Sequence, residues 1–466
     1  MNDLLKVFPK GSIIKKSLSN NFGKIPKYCS DYLISQLVDP ENPETGLLKI
    51  YQILDEHYVE SNKKELIKSK IKEIGRYSFL GNLQARLEEG KNEYFATINV
   101  LENSNVRIHE SVLENFGETL LTTGCFGSMV VAYDPDYLVK KKNYPFVVIE
   151  FVPLQITKIN LQSWINNRNN FSFEEWLNLI INSIGFDPSN LSFDEKMIYI
   201  YRLMPFVEPN LNLIELGGVE TGKTFFYRSL SNYSFVLSGS QTTVASLFYN
   251  KLRRKVGLLG QKDVVAFDEI AHSKFSQQDL TDILKDYMGN GRFGRDNFDF
   301  SSGCSLVFLG NIDCDRQTKT VKGYYQHLFK PLPPSLNSDR AFLDRIHGYI
   351  GGWGAAQISE SLMSKGEGFV ADYLAEIFHK LRNKDYSHVI SSRVIFDKIG
   401  MRNQIAVTKM VSAMIKILFP FSINDDELKL VMDKAIELRQ RVVDQLTIIN
   451  SGEFKGNKIE YKIKGE

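Results

Sequence analysis

The chain of 466 residues has little cysteine: Cys29, Cys125, Cys304 and Cys314, with no CxxC pair among them. That excludes a disulfide framework and a thiolate zinc site, and it fits a reduced compartment. No run of 18 apolar residues occurs; the nearest, about 411–421, carries Lys416 and contains Pro420. A membrane-spanning helix is therefore not expected. Residues 1–16 lack the apolar stretch of a secretory signal, so the chain reads as cytoplasmic. An excess of one charge is missing too, since 57 Lys and Arg against 55 Asp and Glu leave only +2. Binding to nucleic acid by overall charge is thereby excluded, which leaves local basic loops. Low complexity is also absent: with 43% hydrophobic and 12% aromatic residues the chain should fold. At about 150 residues per domain, roughly three units are expected.

The apolar spacing changes along the chain. Residues 1–75 carry helical periodicity, as in Leu66, Ile67, Ile71 and Ile74. From Tyr77 short β-branched and aromatic runs follow, at 85–87, 94–101, 106–108, 129–133 and 146–151, punctuated by Gly, Asn, Asp and Pro. These suit a small β-barrel or sandwich. A helical connector opens after Ser172, whose followers Glu174 and Glu175 favour a helix start. From about 211 apolar strands alternate with helices, at 211–216, 234–237, 264–268 and 305–310, which signals an α/β unit. Beyond 351 helices are expected over 368–381, 402–418 and 425–446, followed by a frayed, Lys-rich tail. The expected organisation is 1–145 helices then barrel, 146–200 connector, 201–350 α/β core, 351–450 helical lid and 451–466 polar tail.

The α/β unit carries the chemistry. Residues Gly217, Gly218, Val219, Glu220, Thr221, Gly222, Lys223 and Thr224 match G-x-x-x-x-G-K-[ST] between a strand and a helix. The glycines let backbone N–H groups face phosphate oxygens. Lys223 neutralises the β- and γ-phosphates, and Thr224 offers a hydroxyl to Mg²⁺. A second strand, 264–267, ends in Asp268 and Glu269 at the edge where such sheets bind ligands. Asp268 is expected to hold Mg²⁺ with Thr224, and Glu269 to orient and deprotonate the attacking water. Asn311 ends a third strand, where it either holds that water or simply caps the strand.

Arginines make a second group. Arg345, and after it Arg340, are candidates to stabilise the transferring phosphate of a neighbouring subunit; pairing with Asp339 or Asp344 on a solvated face is the alternative. Arg402, heading a lid helix, is the candidate nucleotide ligand within its own subunit, with Arg393 competing. For DNA the candidates are Arg253 and Arg254 in Lys-Leu-Arg-Arg-Lys (251–255), and Arg292 and Arg295 in Gly-Arg-Phe-Gly-Arg (291–295). The second loop, with Phe293 between its arginines, suits a mobile phosphate-gripping element.

With these residues in place, the chain resembles the BrxL family, Lon-related AAA+ ATPases of BREX anti-phage systems that are themselves similar to MCM helicases. The segments that carry the resemblance are FGKIPKYCSDYLISQLVD (22–39), KSKIKEIGRYSFL (68–80), FSFEEWLNLIINSIGFDP (171–188), RLMPFVEPNLNLIELG (202–217), VVAFDEI (264–270), KDYMGNGRFGRD (285–296), VFLGNID (307–313) and FLDRIHGYI (342–350). The resemblance implies a multidomain fold with an MCM-like N-terminal domain containing an OB-like barrel, an AAA+ core and an all-α lid. It implies ATP and Mg²⁺ as cofactors. It also implies a hexamer or stacked pair of hexamers around double-stranded DNA, with other phage-defence proteins as further partners. The nucleotide contacts it assigns are Lys223, Thr224, Asp268, Glu269, Asn311 and Arg345. Two departures stand out. Glu220 places a negative charge in the phosphate loop, which would weaken nucleotide binding. Relatives continue into a Lon-like domain with a Ser–Lys dyad, so no proteolysis is expected of these residues. A DNA motor, an ATP-gated DNA clamp and a protein unfoldase remain the competing readings.

Overall fold

In the computed structural model the described residues are 4–19, 22–88, 92–139, 142–238, 243–250, 255–272, 278–295, 298–450, 452 and 458–464. They form two compact units. One comprises Met1–Ile159 and Glu367–Glu376, and the other Asn160–Gly366 and Ile377–Glu466. Among the described residues no helix is long and apolar enough to cross a membrane.

The first unit opens with the expected helices, Lys27–Leu37, Pro43–His57 and Lys64–Ile74. Five strands then close a barrel: Arg76–Glu88, Glu93–Ile98, Asn103–Ile108, Cys125–Tyr133 and Phe146–Pro153. Burial alternates along Cys125–Tyr133, so every second side chain faces inward, as barrel geometry requires. Phe79, Leu83, Ala96, Ile98, Met129 and Val148 are among the side chains that fill the interior. The barrel extends past the expected boundary at 145, because Phe146–Pro153 pairs with both Cys125–Tyr133 and Asn103–Ile108. A helix over Glu110–Thr122 escaped the sequence reading; His109 caps it by accepting from the Ser111 N–H. The strand Glu367–Phe369 also belongs to this unit, since it pairs antiparallel with Ile13–Lys15. The span expected as lid is interrupted there.

The second unit begins with the short helix Leu161–Asn167, and helices Phe173–Ser183 and Phe193–Val207 follow. Both start at capping boxes, Ser172 with Glu175 and Ser192 with Glu195, and each box satisfies otherwise unpaired backbone donors. A five-stranded parallel sheet follows, in the order Ser234–Ser238, Val264–Asp268, Ser305–Asn311, Leu213–Gly217, Gly348–Gly351. The fifth strand is too short to show a period in sequence. Its buried residues Tyr349 and Ile350 pair it with the phosphate-loop strand all the same. Val265, Phe267, Leu306 and Phe308 are buried on one face of the central strands and Val264, Ala266, Val307 and Leu309 on the other, and Phe267 stacks on Phe308 at 5.2 Å. Such unbroken apolar runs are what a sheet covered on both sides requires.

The helix Ala371–Leu381 starts in the first unit and ends in the second, and the lid helices that follow are Ser387–Arg393, Met401–Leu418 and Asp425–Ile449. Two expectations need correction here. Part of the tail is a strand, Glu460–Ile463, paired antiparallel with Val394–Asp397 and seated through the buried Ile463. The Gly-Arg-Phe-Gly-Arg segment is a β-hairpin arm, Arg292–Arg295 against Phe298–Ser301. Phe293 is buried in it against Phe248 at 4.3 Å. That ring is spent on packing and offers no stacking face, while Arg292 stays exposed.

Candidate nucleotide site

Parallel pairing puts the C-terminal ends of all five strands on one edge, which gathers the chemistry there. The phosphate loop leaves its strand at Gly217 and enters the helix Lys223–Ser229 through Gly222. Gly222 has φ 73°, a left-handed conformation that favours glycine, and a Cβ there would lie 2.4 Å from Ile358 Cδ1. Gly217 is constrained by space, because a Cβ would meet the Gly352 backbone at 2.3 Å.

Lys223 points into the loop. Its Nζ donates to Gly218 O at 2.7 Å and Asn311 Oδ1 at 3.3 Å. That second contact follows from register, since Asn311 pairs with Gly217 across adjacent strands. Burial pushes the Lys223 ammonium below the usual lysine range, while the Glu215 and Asp268 carboxylates pull it back up. Thr224 Oγ1 donates to Asp268 Oδ1 at 2.9 Å, and the same oxygen accepts from the Glu269 N–H at 3.0 Å. Glu269 is exposed at φ 49°, a strained conformation for a residue with a Cβ. The structure thus brings Gly217–Thr224, Asp268, Glu269 and Asn311 to one place.

A hydroxyl beside a carboxylate is a hard, all-oxygen donor set that fits Mg²⁺, which needs only one or two protein ligands besides phosphate. Among the described residues no cluster of three or more His, Cys, Asp or Glu could hold a metal.

Glu220 is better placed than its sequence position suggests. At φ 61°, its Oε2 accepts from Gln357 Nε2 at 2.6 Å, and Arg316 stands 3.8 Å away. The extra carboxylate in the loop thus has a neutral amide and a cation as its neighbours. Gln357 lies 137 residues from Glu220, so no local signal could have named it.

The arginines sort differently. Gly348 pairs with Leu213 at the start of both strands, so Arg345, three residues earlier, lies beyond the N-terminal edge. The phosphate loop lies beyond the opposite edge. Arg345 Nη1 donates to Ala341 O at 2.8 Å, and its Nε is buried without a partner. Neither neighbouring aspartate claims it. Asp339 pairs with Lys285 at 3.0 Å and caps Phe342, while Asp344 takes Arg439 at 2.7 Å and Arg402 at 2.5 Å. Arg340, exposed, heads the short helix Arg340–Leu343 on the same side.

Arg402 therefore corrects an expectation. Bonded to Asp344, the residue before Arg345, it belongs with the arginines beyond the edge opposite the phosphate loop, where the expected contact with its own subunit's nucleotide is not seen. Its competitor Arg393 is engaged with Asp425 and Ile423 O within the lid. Arg253 and Arg254 lie outside the described residues, and of the hairpin arginines only Arg292 has a described side chain.

The family pattern described as "Lon-like protease BrxL-like, ATPase domain" matches residues 146–460, and "BREX system Lon protease-like protein BrxL N-terminal" matches residues 6–133. The Lon-like protease BrxL of Bacillus cereus (strain H3081.97) is 34% identical over 472 residues, covering 99% of this chain and 69% of that protein. The Lon-like protease BrxL of Escherichia coli O9:H4 (strain HS) is 32% identical over 465 residues, covering 97% and 66%. This chain spans about two thirds of the length of each. Among solved structures, a full-length MCM homolog from Methanopyrus kandleri is similar at a TM-score of 0.44 and 10% identity, over 79% of this chain and 78% of that one. The chain belongs to the BrxL family, and its second unit carries that family's AAA+ ATPase domain.

Proposed function

We propose that the protein is a Mg²⁺-dependent ATPase that works as a ring, a hexamer or stacked hexamers, on double-stranded DNA in the cytoplasm as part of BREX anti-phage defence. The observation that carries the reading is the split site: the phosphate loop, Asp268, Glu269 and Asn311 on one edge of the sheet, and Arg345 on the other. Such a site is complete only when a second copy brings its arginine edge to the first copy's phosphate edge.

Chemistry then follows from position. Lys223 and the loop N–H groups bind the β- and γ-phosphates. Thr224 and Asp268 are the pair that would hold Mg²⁺, whose charge offsets that of the phosphates when bound. Glu269, exposed beside them, accepts a proton from the attacking water, and Asn311 holds that water in line. Arg345 of the adjacent copy stabilises charge on the transferring group. Arg402, fixed next to it through Asp344, adds a second cation at the same seam. Arg292 on its hairpin, with Arg295 three residues on and Arg253 and Arg254 elsewhere in sequence, supplies the duplex contacts.

The deciding experiment is ATP turnover with and without duplex DNA, alongside a displacement assay. Stimulation with displacement supports the motor. Binding without stimulation or displacement sinks the motor in favour of a clamp, and stimulation by unfolded protein instead would make the chain an unfoldase.

A further inference from the structure

Beneath the phosphate loop lies an ion pair that the catalytic scheme does not use. Arg202, on the helix Phe193–Val207, and Glu215, on the phosphate-loop strand, are both fully buried. Arg202 Nη2 donates to Glu215 Oε1 at 2.6 Å and Nε donates to Oε2 at 3.0 Å, a two-pronged arrangement. The third prong leaves the pair. Arg202 Nη1 donates to the carbonyl oxygen of Thr221 at 3.1 Å, inside the loop.

A buried ion pair is a costly way to stabilise a fold, because desolvating both charges consumes most of their attraction. The third bond points to another role. In a trans peptide the C=O of one residue and the N–H of the next point in opposite directions. Holding the Thr221 carbonyl inward, onto Arg202, turns the Gly222 N–H outward, to the side where phosphate must sit. This peptide needs holding, since Gly222 has no side chain and tolerates either orientation. A flipped peptide would present a carbonyl oxygen to a polyphosphate. Glu215 in turn fixes the guanidinium, and there is no slack around it: a Cβ on Gly352 would lie 2.9 Å from Glu215 Oε1.

We propose that Arg202 and Glu215 are positioning residues of the nucleotide site, and that Arg202 sets the direction of the Gly222 N–H by holding the Thr221 carbonyl. The inference rests on the ATPase reading and adds to it two residues that touch no nucleotide.

Two variants test it by steady-state ATP turnover and binding of a fluorescent ATP analogue. Arg202→Met with Glu215→Leu removes both charges together, the change a buried pair tolerates best. Arg202→Lys keeps the ion pair, but one ammonium cannot serve Glu215 and Thr221 with the same fork. Both should raise KM for ATP by about tenfold, ~1.4 kcal/mol, with kcat within about twofold, the pattern of lost uniform binding. A merely structural role gives the opposite split, a smaller active fraction with KM unchanged, and that result overturns the proposal. So does an unchanged KM in either variant. If the double variant shows no cooperative melt, Arg202→Lys decides alone. A wild-type protein that neither binds nor hydrolyses ATP sinks the ATPase reading itself; a wild type that does, beside unaffected variants, sinks only this one.

Discussion

Arg345→Ala is the perturbation that bears hardest on the split site. From Leu213 to Gly217 the phosphate-loop strand rises four residues, about 13 Å at 3.3 Å each, and Arg345 lies three residues before the partner of Leu213. One side chain cannot cover that distance within a subunit. If a neighbour's Arg345 stabilises the transferring phosphate, its loss should lower kcat by about 10³ or more, ~4 kcal/mol. Lys223→Ala should be equally inactive, from the opposite side of the seam. Mixing makes the argument quantitative. A seam is competent when an Arg345→Ala subunit offers its intact phosphate loop to a Lys223→Ala subunit's intact arginine. In randomly mixed rings at equal amounts this occurs at about one quarter of seams, so about a quarter of wild-type turnover per seam should return. The assay is ATPase activity of co-expressed, differently tagged variants purified through both tags, with assembly checked by light scattering. Mixed rings that assemble but stay inactive, or Arg345→Ala alone near wild-type rate, would rule out an arginine acting across the seam.

Further outcomes follow from single contacts. Glu269→Gln should retain ATP binding and assembly but lose turnover, so hydrolysis at a near wild-type rate removes Glu269 as the base. Arg316→Ala leaves Glu220 with only Gln357; KM for ATP should rise about threefold, and Glu220→Gly should cancel that rise, both read by ATP titration. His347 is held neutral, because burial first, then Lys409 and Arg439, push it well below the usual imidazole range, while its Nδ1 accepts from the Asn212 N–H at 2.8 Å. Only the unfolded chain then takes up its proton, so this stability is intact above about pH 6.5 and falls below it, by up to ~1.4 kcal/mol per pH unit. His347→Asn, which keeps an acceptor, should flatten the pH dependence of Tm between pH 7 and 5.5. Arg292→Ala should weaken duplex binding about equally for all sequences and lower the salt slope of log K by about one, measured by anisotropy.

The sequence by itself determined what depends on neighbours in the chain. The phosphate loop, Asp268, Glu269 and Asn311 could be read because glycine placement, a lysine and strand-ending acids act within a few residues of backbone. The helix start at Ser172 and the long lid helices were legible for the same reason. Tertiary structure alone decided which edge each residue occupies. Arg402 heads its helix as expected, yet Asp344 draws it to the far side of the sheet. Phe293 sits between arginines, yet Phe248 buries it. Gly348–Gly351 and Glu460–Ile463 are strands only through partners far away in sequence. Gln357 and Arg316 reach Glu220, and Arg202 reaches Thr221, across turns that no local pattern records. The physical reason is one of range: propensity, capping and loop chemistry are settled within a few residues, whereas register, burial and ion pairing exist only once separate segments have packed.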